Sequence, residues 1–269
     1  MEGLYLYCIR EKTENAQAFS PKGIDEKGEV FTLTHGELEA VVSKISLEEF
    51  GSSEIQKKAQ EDLKWIKEKA LLHQKVLEEA MKKNDKFLAL IPMRFGIIFK
   101  EEAKLRQTID KDYTTIKETL ERIRGKQEWS VKVYLKDKER FAEVVKEKNE
   151  PIKQKQKEIT DLPEGMAFFM EEELKEVICK EAEKELNNFV EKLFEAFKKH
   201  ALDCIRNRIL EKELTGRREP MVLNAAYLIP EERIEDFKKE IGDINQKMQA
   251  KGFYLEYSGP WPAYNFASY

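Results

Sequence analysis

The sequence has few of the residues that build disulfides or metal sites. Among 269 residues there are three cysteines, Cys8, Cys179 and Cys204. They are odd in number, widely spaced and lack a Cys-Xaa-Xaa-Cys pair, so we expect reduced, buried and inert thiols in a cytoplasmic protein. No apolar run approaches the ~20 residues that a transmembrane helix needs, and the first ten residues lack a basic leader. We therefore expect neither a membrane span nor a secretory signal.

Enzyme motifs are also missing. There is no glycine-rich phosphate loop, no Gly-Xaa-Ser-Xaa-Gly and no His-Glu-Xaa-Xaa-His. The three histidines, at positions 35, 73 and 200, do not have metal-ligand spacing. The run Glu171-Glu172-Glu173 begins a predicted helix, where the helix dipole favours negative charge. We therefore predict no catalytic residues, no cofactor and no metal, and a protein that is not an enzyme.

An excess of positive charge is lacking as well. The chain has 48 Lys and Arg against 52 Asp and Glu, which gives a net charge of −4. A protein that neutralises nucleic-acid phosphates needs a basic surface, so nucleic acid is not an expected partner. With 41% hydrophobic and 37% charged residues, the composition is typical of a globular, strongly solvated protein.

The first half of the sequence alternates between short strands and long helices. Strand patterns occupy residues 4–9, 30–33, 38–43, 87–91 and 128–135, and helix patterns occupy about 53–84 and 101–124. This order predicts an α+β domain over residues 1–135. His73 lies on the apolar side of the first helix without a second ligand nearby, so we interpret it as a hydrogen-bonded core residue.

The second half begins with a change of composition. Residues 136–164 are dominated by Lys and Glu and contain Pro151 and Pro163, which predicts a charged linker or solvated helix between two domains. The apolar run 166–170 then leads into a predicted amphipathic helix of about 40 residues, roughly 60 Å long. A strand at 221–229, a helix from Pro230 and a strand at 253–257 complete a C-terminal domain, residues 165–269, whose element order predicts a ferredoxin-like α+β fold.

Arg94 is the one charged residue in the apolar block from Phe87 to Phe99. A guanidinium in such a setting requires a carboxylate, a group of carbonyls or an aromatic face. Two interpretations remain open. The side chain is either clamped internally to an Asp or Glu, or it anchors the backbone or carboxylate of a partner.

Aromatic residues concentrate at the C-terminus. From residue 253 onward, seven of seventeen residues are aromatic, among them Trp261, Tyr264, Phe266 and Tyr269. Two prolines bracket Trp261 and predict a fixed, extended segment after the last strand. So many rings require burial, either on the tail's own domain, which we favour, or against a partner.

Two motifs resemble a known family. Gly-Pro-Trp-Pro-Ala-Tyr-Asn-Phe at 259–266 is similar to the C-terminal signature of the gas vesicle synthesis proteins of the GvpF/GvpL family, and residues 90–99 resemble that family's Leu-Pro-Xaa-Arg-Phe-Gly-Xaa-Xaa-Phe block. Leu4-Tyr5-Leu6-Tyr7, Trp65 with His73, 125–129 and 222–228 also fit the family's order. Ala263 departs from the family, in which a second proline is common here. The resemblance covers nearly the whole chain.

The resemblance implies a cytoplasmic, gas vesicle-associated accessory protein, without deciding between the F and L types. Its expected partners are the small, very apolar major shell protein or its nucleating complex, and other gas vesicle accessory proteins. Such a subunit exposes strand edges and apolar faces before assembly. The candidate contacts are an exposed strand edge, or the side chains of Arg94, Phe95, Trp261, Tyr264 and Phe266. The alternatives are a minor structural component of the shell and a ferredoxin-like small-molecule sensor.

Overall fold

The structure is a computed structural model that describes residues 1–15, 17–83 and 86–267, without the side chains at 52–54, 56, 59 and 164. The chain mixes helices and strands, which confirms the α+β class. It forms two compact units: Met1–Glu128 with Gly259–Tyr269, and Trp129–Ser258. The sequence predicts different bounds, with a first domain that ends at 135 and a second that begins at 165. That these two ranges fold as separate domains stays a prediction. Two predicted positions, Asn84 and Tyr269, lie outside the described residues.

The first unit is built on a sheet with the strand order β2-β3-β1-β6, and β7 also pairs with β1. All of these pairs are antiparallel. Its elements are β1 (Glu2–Glu11), β2 (Val30–His35), β3 (Leu38–Ser46), α1 (Leu47–Phe50), α2 (Ser52–Glu61), α3 (Leu63–Ala80), β4 (Lys82–Lys83), β5 (Lys86–Phe87), β6 (Leu90–Pro92), β7 (Ile98–Phe99) and α4 (Glu102–Ile123).

Strand β1 is the centre of this sheet. Its residues from Gly3 to Arg10 are all buried, so both faces of the strand are covered. The register with β3 shifts between Leu6 and Cys8, which makes Tyr7 a bulge residue. On one side, Tyr5 and Tyr7 belong to a core cluster with the α3 residues Val76, Leu77 and Ala80.

Two predicted elements of the first half are interrupted in the structure. The single helix predicted over about 53–84 is wrong, because Asp62 ends α2 and caps α3, with its side chain accepting a hydrogen bond from the Trp65 N–H at 2.9 Å. The strand predicted at 87–91 is divided between β5 and β6. The predicted helix at 101–124 and the first three predicted strands are confirmed.

A charged pair is buried inside the first unit. Arg10 on β1 and Glu39 on β3 face each other in register and are 0% and 2% exposed. The Arg10 Nε donates to Glu39 Oε1 at 2.7 Å, and Nη1 donates to Gln17 Oε1 at 2.8 Å. The guanidinium also donates to the backbone carbonyl of Ala80, which ends α3. The pair therefore connects the sheet to the end of a helix.

The second unit has a four-stranded sheet with the order β11-β8-β10-β9. Its elements are β8 (Lys126–Leu135), α5 (Lys138–Lys148), α6 (Glu150–Thr160), α7 (Glu164–Lys198), β9 (Asp203–Arg206), α8 (Lys212–Thr215), β10 (Met221–Pro230), a 3-10 turn (Glu231–Arg233), α9 (Ile234–Gln249) and β11 (Phe253–Trp261). The first residues of β8 and the last of β11 lie in the first unit. Residues 136–164 are largely helical here, in α5 and α6.

The long helix of the second half is shorter than predicted and lies earlier in the sequence. Helix α7 has 35 residues and includes 166–170, the apolar run that precedes the predicted helix. It ends at Lys198, and residues 203–206 of the predicted helix pair instead with β10 as β9. Cys204 and Ile205 continue the three-and-four spacing of the helix, but the long-range pairing with β10 determines their structure.

The core of the second unit is rich in aromatic rings. Phe197, Tyr227 and Phe237 are fully buried and lie 5.9–6.0 Å apart by ring centroid. They connect α7, β10 and α9, and such ring pairs add to the free energy gained from burial alone. Thus α7 packs its C-terminal half on the sheet, which confirms that its Phe stripe is mainly core.

The Arg10–Glu39 pair gives a test of the first unit's stability. We expect Arg10→Met or Glu39→Gln alone to lower the free energy of unfolding by about 3–5 kcal/mol, because each leaves a buried charge without its partner. The double variant Arg10→Met/Glu39→Leu should cost less than the sum of the single changes. Urea unfolding measures all three.

The exposed ion pair between Lys44 and Glu2 provides the control, since the two side chains are 63% and 74% exposed. Lys44→Met should change the free energy of unfolding by no more than about 1 kcal/mol. If Arg10→Met costs no more than Lys44→Met, the buried pair does not stabilise the first unit.

Candidate functional site

The segment from Met93 to Ile97 is a short loop between β6 and β7, held at both ends on β1. The Met93 N–H donates to the Tyr7 carbonyl at 2.8 Å, and the Leu6 N–H donates to the Ile97 carbonyl at 2.9 Å. Between them, Gly96 has a φ of +91°, a backbone conformation that other residues resist. The loop therefore has a fixed shape on the sheet.

A buried tyrosine hydroxyl connects this loop to α3. The Gly96 N–H donates to the Tyr5 hydroxyl at 3.0 Å, and that hydroxyl lies 2.9 Å from His73 Nδ1. The other ring nitrogen, Nε2, lies 3.2 Å from the Met93 carbonyl. A neutral His73 that accepts from Tyr5 and donates to Met93 satisfies all of these groups.

The environment of His73 favours this neutral form. The ring is 3% exposed, and burial lowers the pKa of His73 to about 4. The ring of Phe95 lies edge-on to His73 at 6.1 Å and to Tyr5 at the same distance. His73 is thus a hydrogen-bonded core residue, as the sequence predicts, and its contact with the Met93 carbonyl holds the loop.

Arg94 departs from the expectation of burial. Its side chain is exposed, and among the residues that the structure describes it has neither an ion pair nor a hydrogen bond. The described residues therefore offer no internal clamp for Arg94, and the two interpretations of its side chain stay predictions. Arg10 is the arginine that has a buried carboxylate partner. Beside Arg94, Phe95 is half-buried and Ile97 is 36% exposed.

The C-terminal tail reaches the same helix from β11. The Tyr264 hydroxyl donates to Gln74 Oε1 at 3.3 Å, and Gln74 adjoins His73 on α3. The backbone N–H of Asn265 donates to Glu128 Oε2 at 2.9 Å, and its side-chain Nδ2 donates to Glu128 Oε1 at 2.6 Å. The Phe266 carbonyl accepts from Arg122 on α4. All of these groups belong to the first unit, so the tail does not pack on the C-terminal domain that we expected.

The predicted partner-binding residues differ in exposure. Tyr264 is 42% exposed, Trp261 is half-buried and Phe266 is only 4% exposed. Trp261 lines a small cavity of about 30 Å³ with Met81, Phe87 and Ile123. The ring of Phe266 therefore supports the tail from inside, whereas Tyr264 and the loop residues face solvent.

We use the term loop–tail surface for Leu71, Gln74, Arg94, Phe95 and Tyr264. Leu71 is 62% exposed and lies one helical turn before Gln74. The surface combines apolar side chains, one cation without an ion pair to a described residue, and two polar groups, carried by α3, the 93–97 loop and the tail. A partner's apolar segment and its backbone carbonyls or carboxylates can be contacted there together.

Several residues of this site escape a reading of the sequence. Tyr5, Gln74 and Glu128 do not stand out from their neighbours by type or spacing, and their partners are 68, 91, 137 and 190 positions away. Asn265 lies in the tail motif, but only its contact with Glu128 reveals its role. The signal that could have pointed to Tyr5 is its place in an otherwise continuous apolar strand, where a hydroxyl requires a partner.

The described residues contain no group of three or more His, Cys, Asp or Glu side chains placed to hold a metal ion. All three cysteines are free thiols. Cys8 is buried and Cys204 partly so, but Cys179 is exposed, which corrects the expectation that all are buried. None of the described helices is both long enough and apolar enough to cross a membrane.

The whole chain matches one family model. The model described as "Gas vesicle synthesis protein GvpL/GvpF" covers residues 3–268. The chain belongs to the GvpL/GvpF family. The predicted family resemblance is thereby confirmed, and both of the motifs that carry it, at 90–99 and 259–266, lie within the loop–tail surface or beside it.

Relatives of both types are similar to this GvpL/GvpF chain. Gas vesicle protein F of Nostoc sp. (strain PCC 7120 / SAG 25.82 / UTEX 2576) is 29% identical over 72% of the chain and 75% of its own length. Gas vesicle protein L1 of Halobacterium salinarum (strain ATCC 700922 / JCM 11081 / NRC-1) is 23% identical over 98% of the chain and 90% of its own length. The involvement of the chain with gas vesicles follows from this membership.

Two crystal structures of family members share the fold. GvpF from Anabaena sp. PCC7120 superposes with a TM-score of 0.73 at 22% identity, covering 100% of this chain and 99% of the other. GvpF from Microcystis aeruginosa gives a TM-score of 0.66 at 21% identity, with 99% of both chains covered. At these identities the likeness establishes the fold alone.

The burial of Glu128 makes stability depend on pH. Burial raises the pKa of Glu128 from 4.5 to about 7, and the two hydrogen bonds from Asn265 oppose this shift. Because the folded state favours the protonated form, this contribution to stability is fully present below pH 4.5 and is lost as the pH rises through 7. Between pH 5 and pH 8 we expect the wild type to lose about 3 kcal/mol relative to Glu128→Gln.

Urea unfolding of the wild type and the variant at both pH values gives this difference. His73 titrates in both proteins, so its effect cancels. Glu118→Gln, at an exposed position of α4, is the matched control; it keeps Glu128 and should therefore respond to pH as the wild type does. An equal response of Glu128→Gln and the wild type to pH would show that Glu128 is ionised normally in the fold.

Proposed function

We propose that this chain is a non-enzymatic accessory protein in gas vesicle assembly. It binds the apolar major shell protein, or the complex that nucleates the shell, and helps its incorporation. The observation that carries this proposal is the loop–tail surface. Arg94 there is exposed and has no ion pair with a described residue, Phe95 beside it is half-buried, and Leu71 and Tyr264 are exposed.

The composition of the surface suits an apolar partner that still has backbone groups to satisfy. Leu71 and Phe95 offer apolar contact, and Tyr264 adds an aromatic ring with a hydroxyl. Arg and Tyr are enriched among the residues that contribute most to binding energy at interfaces. Arg94 brings five donors, and no described carboxylate forms an ion pair with it, so a partner's carbonyls or C-terminal carboxylate can accept from them.

The hydrogen bonds beneath the surface support a binding role. Tyr5 and His73 hold the loop, and Gln74 holds the Tyr264 hydroxyl, so little conformational freedom is lost when a partner binds. The rest of the chain, with 37% charged residues, keeps a complex with an apolar subunit from precipitating. A location in the cytoplasm, where such subunits are made, belongs to the same proposal.

The proposal includes a ferredoxin-like fold for the second unit. The elements run β8, helices, β9, β10, α9, β11, and the sheet order is β11-β8-β10-β9. A β-α-β-β-α-β chain of ferredoxin-like type places its fourth strand beside the first and its third between the first and second. The first strand is then β8. The apolar run 166–170, which the sequence pattern places before the long helix, is not that strand, because it lies within α7.

Co-expression with the major shell protein tests the function. We expect the tagged chain to keep the shell protein in the supernatant and to co-elute with it. The variant Leu71→Ser/Arg94→Ser should bind at least about tenfold more weakly, because it removes an apolar contact and the exposed cation from the loop–tail surface. Both side chains are exposed, so the melting temperature should stay unchanged.

The matched control is Leu214→Ser/Arg218→Ser, which makes the same chemical changes at exposed positions of the second unit. Equal co-elution of the two variants would show that the loop–tail surface is not the binding surface. If the wild type fails to retain the shell protein at all, the accessory role is wrong. Washed gas vesicles that still contain the chain would instead indicate a structural component of the shell.

A further inference from the structure

The second unit contains a cleft that has no part in the proposed shell-protein binding. It has a volume of about 200 Å³ and lies between α5, α7 and the turn that follows α9. Phe141, Val144 and Val145 of α5 and Phe189 of α7 form its apolar lining. Phe253 lies next to this lining, with its ring centroid 5.0 Å from Phe141 and 4.7 Å from Phe189.

Lysines surround the opening of this cleft. Lys148 and Lys251 line it directly. The Nζ of Lys251 lies 5.2 Å from the centroid of the Phe189 ring, so the cation faces the aromatic wall. Burial, and the nearby positive charges of Lys148 and Lys192, lower the pKa of Lys251.

These three lysines are without a carboxylate partner in the part of the chain that the structure describes. None of Lys148, Lys192 and Lys251 forms an ion pair with any residue that the structure describes. Like charges that are held together without a counterion repel each other, and an anion relieves this repulsion. The carboxylate that lines the cleft, Glu185, lies 3.5 Å from the side-chain amide of Asn188, which donates to it.

We propose that this cleft binds a small amphipathic carboxylate, with its apolar body against the phenylalanine and valine side chains and its carboxylate between Lys148 and Lys251. The size of the cleft limits the ligand. A dry cavity of about 150 Å³ accepts benzene, so about 200 Å³ accepts a benzoate-sized ring or a short alkyl chain. A fixed apolar lining with a few convergent polar groups is the usual form of a small-molecule site.

The probe for this site is 4-fluorobenzoate, followed by ¹⁹F NMR during titration of the full chain. We expect a saturable shift and broadening of the fluorine signal. The neutral 4-fluorobenzamide has the same ring and nearly the same shape. It should bind at least about tenfold more weakly, because it cannot form charge-assisted hydrogen bonds with lysine.

Substitutions then place the ligand. Lys148→Gln/Lys251→Gln should weaken the binding of 4-fluorobenzoate about tenfold or more. Lys180→Gln, at an exposed α7 position without an ion pair to a described residue, removes a charge of the same kind and should leave binding unchanged. Val144→Phe should fill the cleft and abolish binding. Since that variant can also disturb α5, the lysine variants decide the matter if its melting temperature falls.

Three results would overturn the proposal: no change of the fluorine signal at millimolar probe, equal affinity for the two probes, or equal binding by the Lys148/Lys251 variant and the Lys180 variant. The outcome is independent of shell-protein binding. The cleft residues belong to the second unit, and the loop–tail surface belongs to the first. A variant of the cleft should therefore still retain the shell protein in co-expression.

Discussion

The position of the 93–97 loop in the first unit depends on one buried hydroxyl, that of Tyr5, which needs hydrogen-bond partners. Tyr5 lies on the central strand with no exposure to water, so its hydroxyl must bond to protein groups. It takes the Gly96 N–H and the His73 ring, and His73 in turn takes the Met93 carbonyl. One side chain thereby fixes the 93–97 loop and its position relative to α3. These hydrogen bonds position the exposed Arg94 and the half-buried Phe95.

A second buried polar contact, between Glu128 and Asn265, fixes the tail. It differs from the first in that it contains an acidic group. Glu128 accepts two hydrogen bonds from Asn265, yet burial of the carboxyl outweighs them and raises its pKa to about 7. His73 shows the opposite case of the same physics, since burial disfavours its charged form and lowers its pKa. In both groups burial disfavours the charged form, so the site is built on buried polar groups whose ionisation the fold opposes.

Regular elements could be predicted from the sequence, and long-range pairings could not. Helix α4 and strand β10 have unbroken periodicity and clear ends, and both are found where predicted. The break at Asp62 has no Gly or Pro to mark it, and β9 continues a helical spacing until β10 pairs with it. Arg94 stood out because its neighbours are apolar. Arg10 did not, since its partner Glu39 becomes visible only when β1 and β3 are in register. In the site, the motif residues were recognised, but their supports, Tyr5 and Glu128, needed the fold.

A protein that handles an apolar subunit has to expose apolar groups without associating with itself. On the loop–tail surface, the apolar side chains of Leu71 and Phe95 are interleaved with Gln74, Arg94 and the Tyr264 hydroxyl, so no large continuous apolar patch forms from them. In the second unit the aromatic side chains around the cleft are recessed, with lysines at its opening. Both arrangements place positive charge beside apolar area in a chain of net negative charge. The positive charge there attracts the carboxylate or carbonyl groups of a partner, while the like net charge of every copy opposes self-association. A chain of this composition can therefore offer apolar contacts selectively.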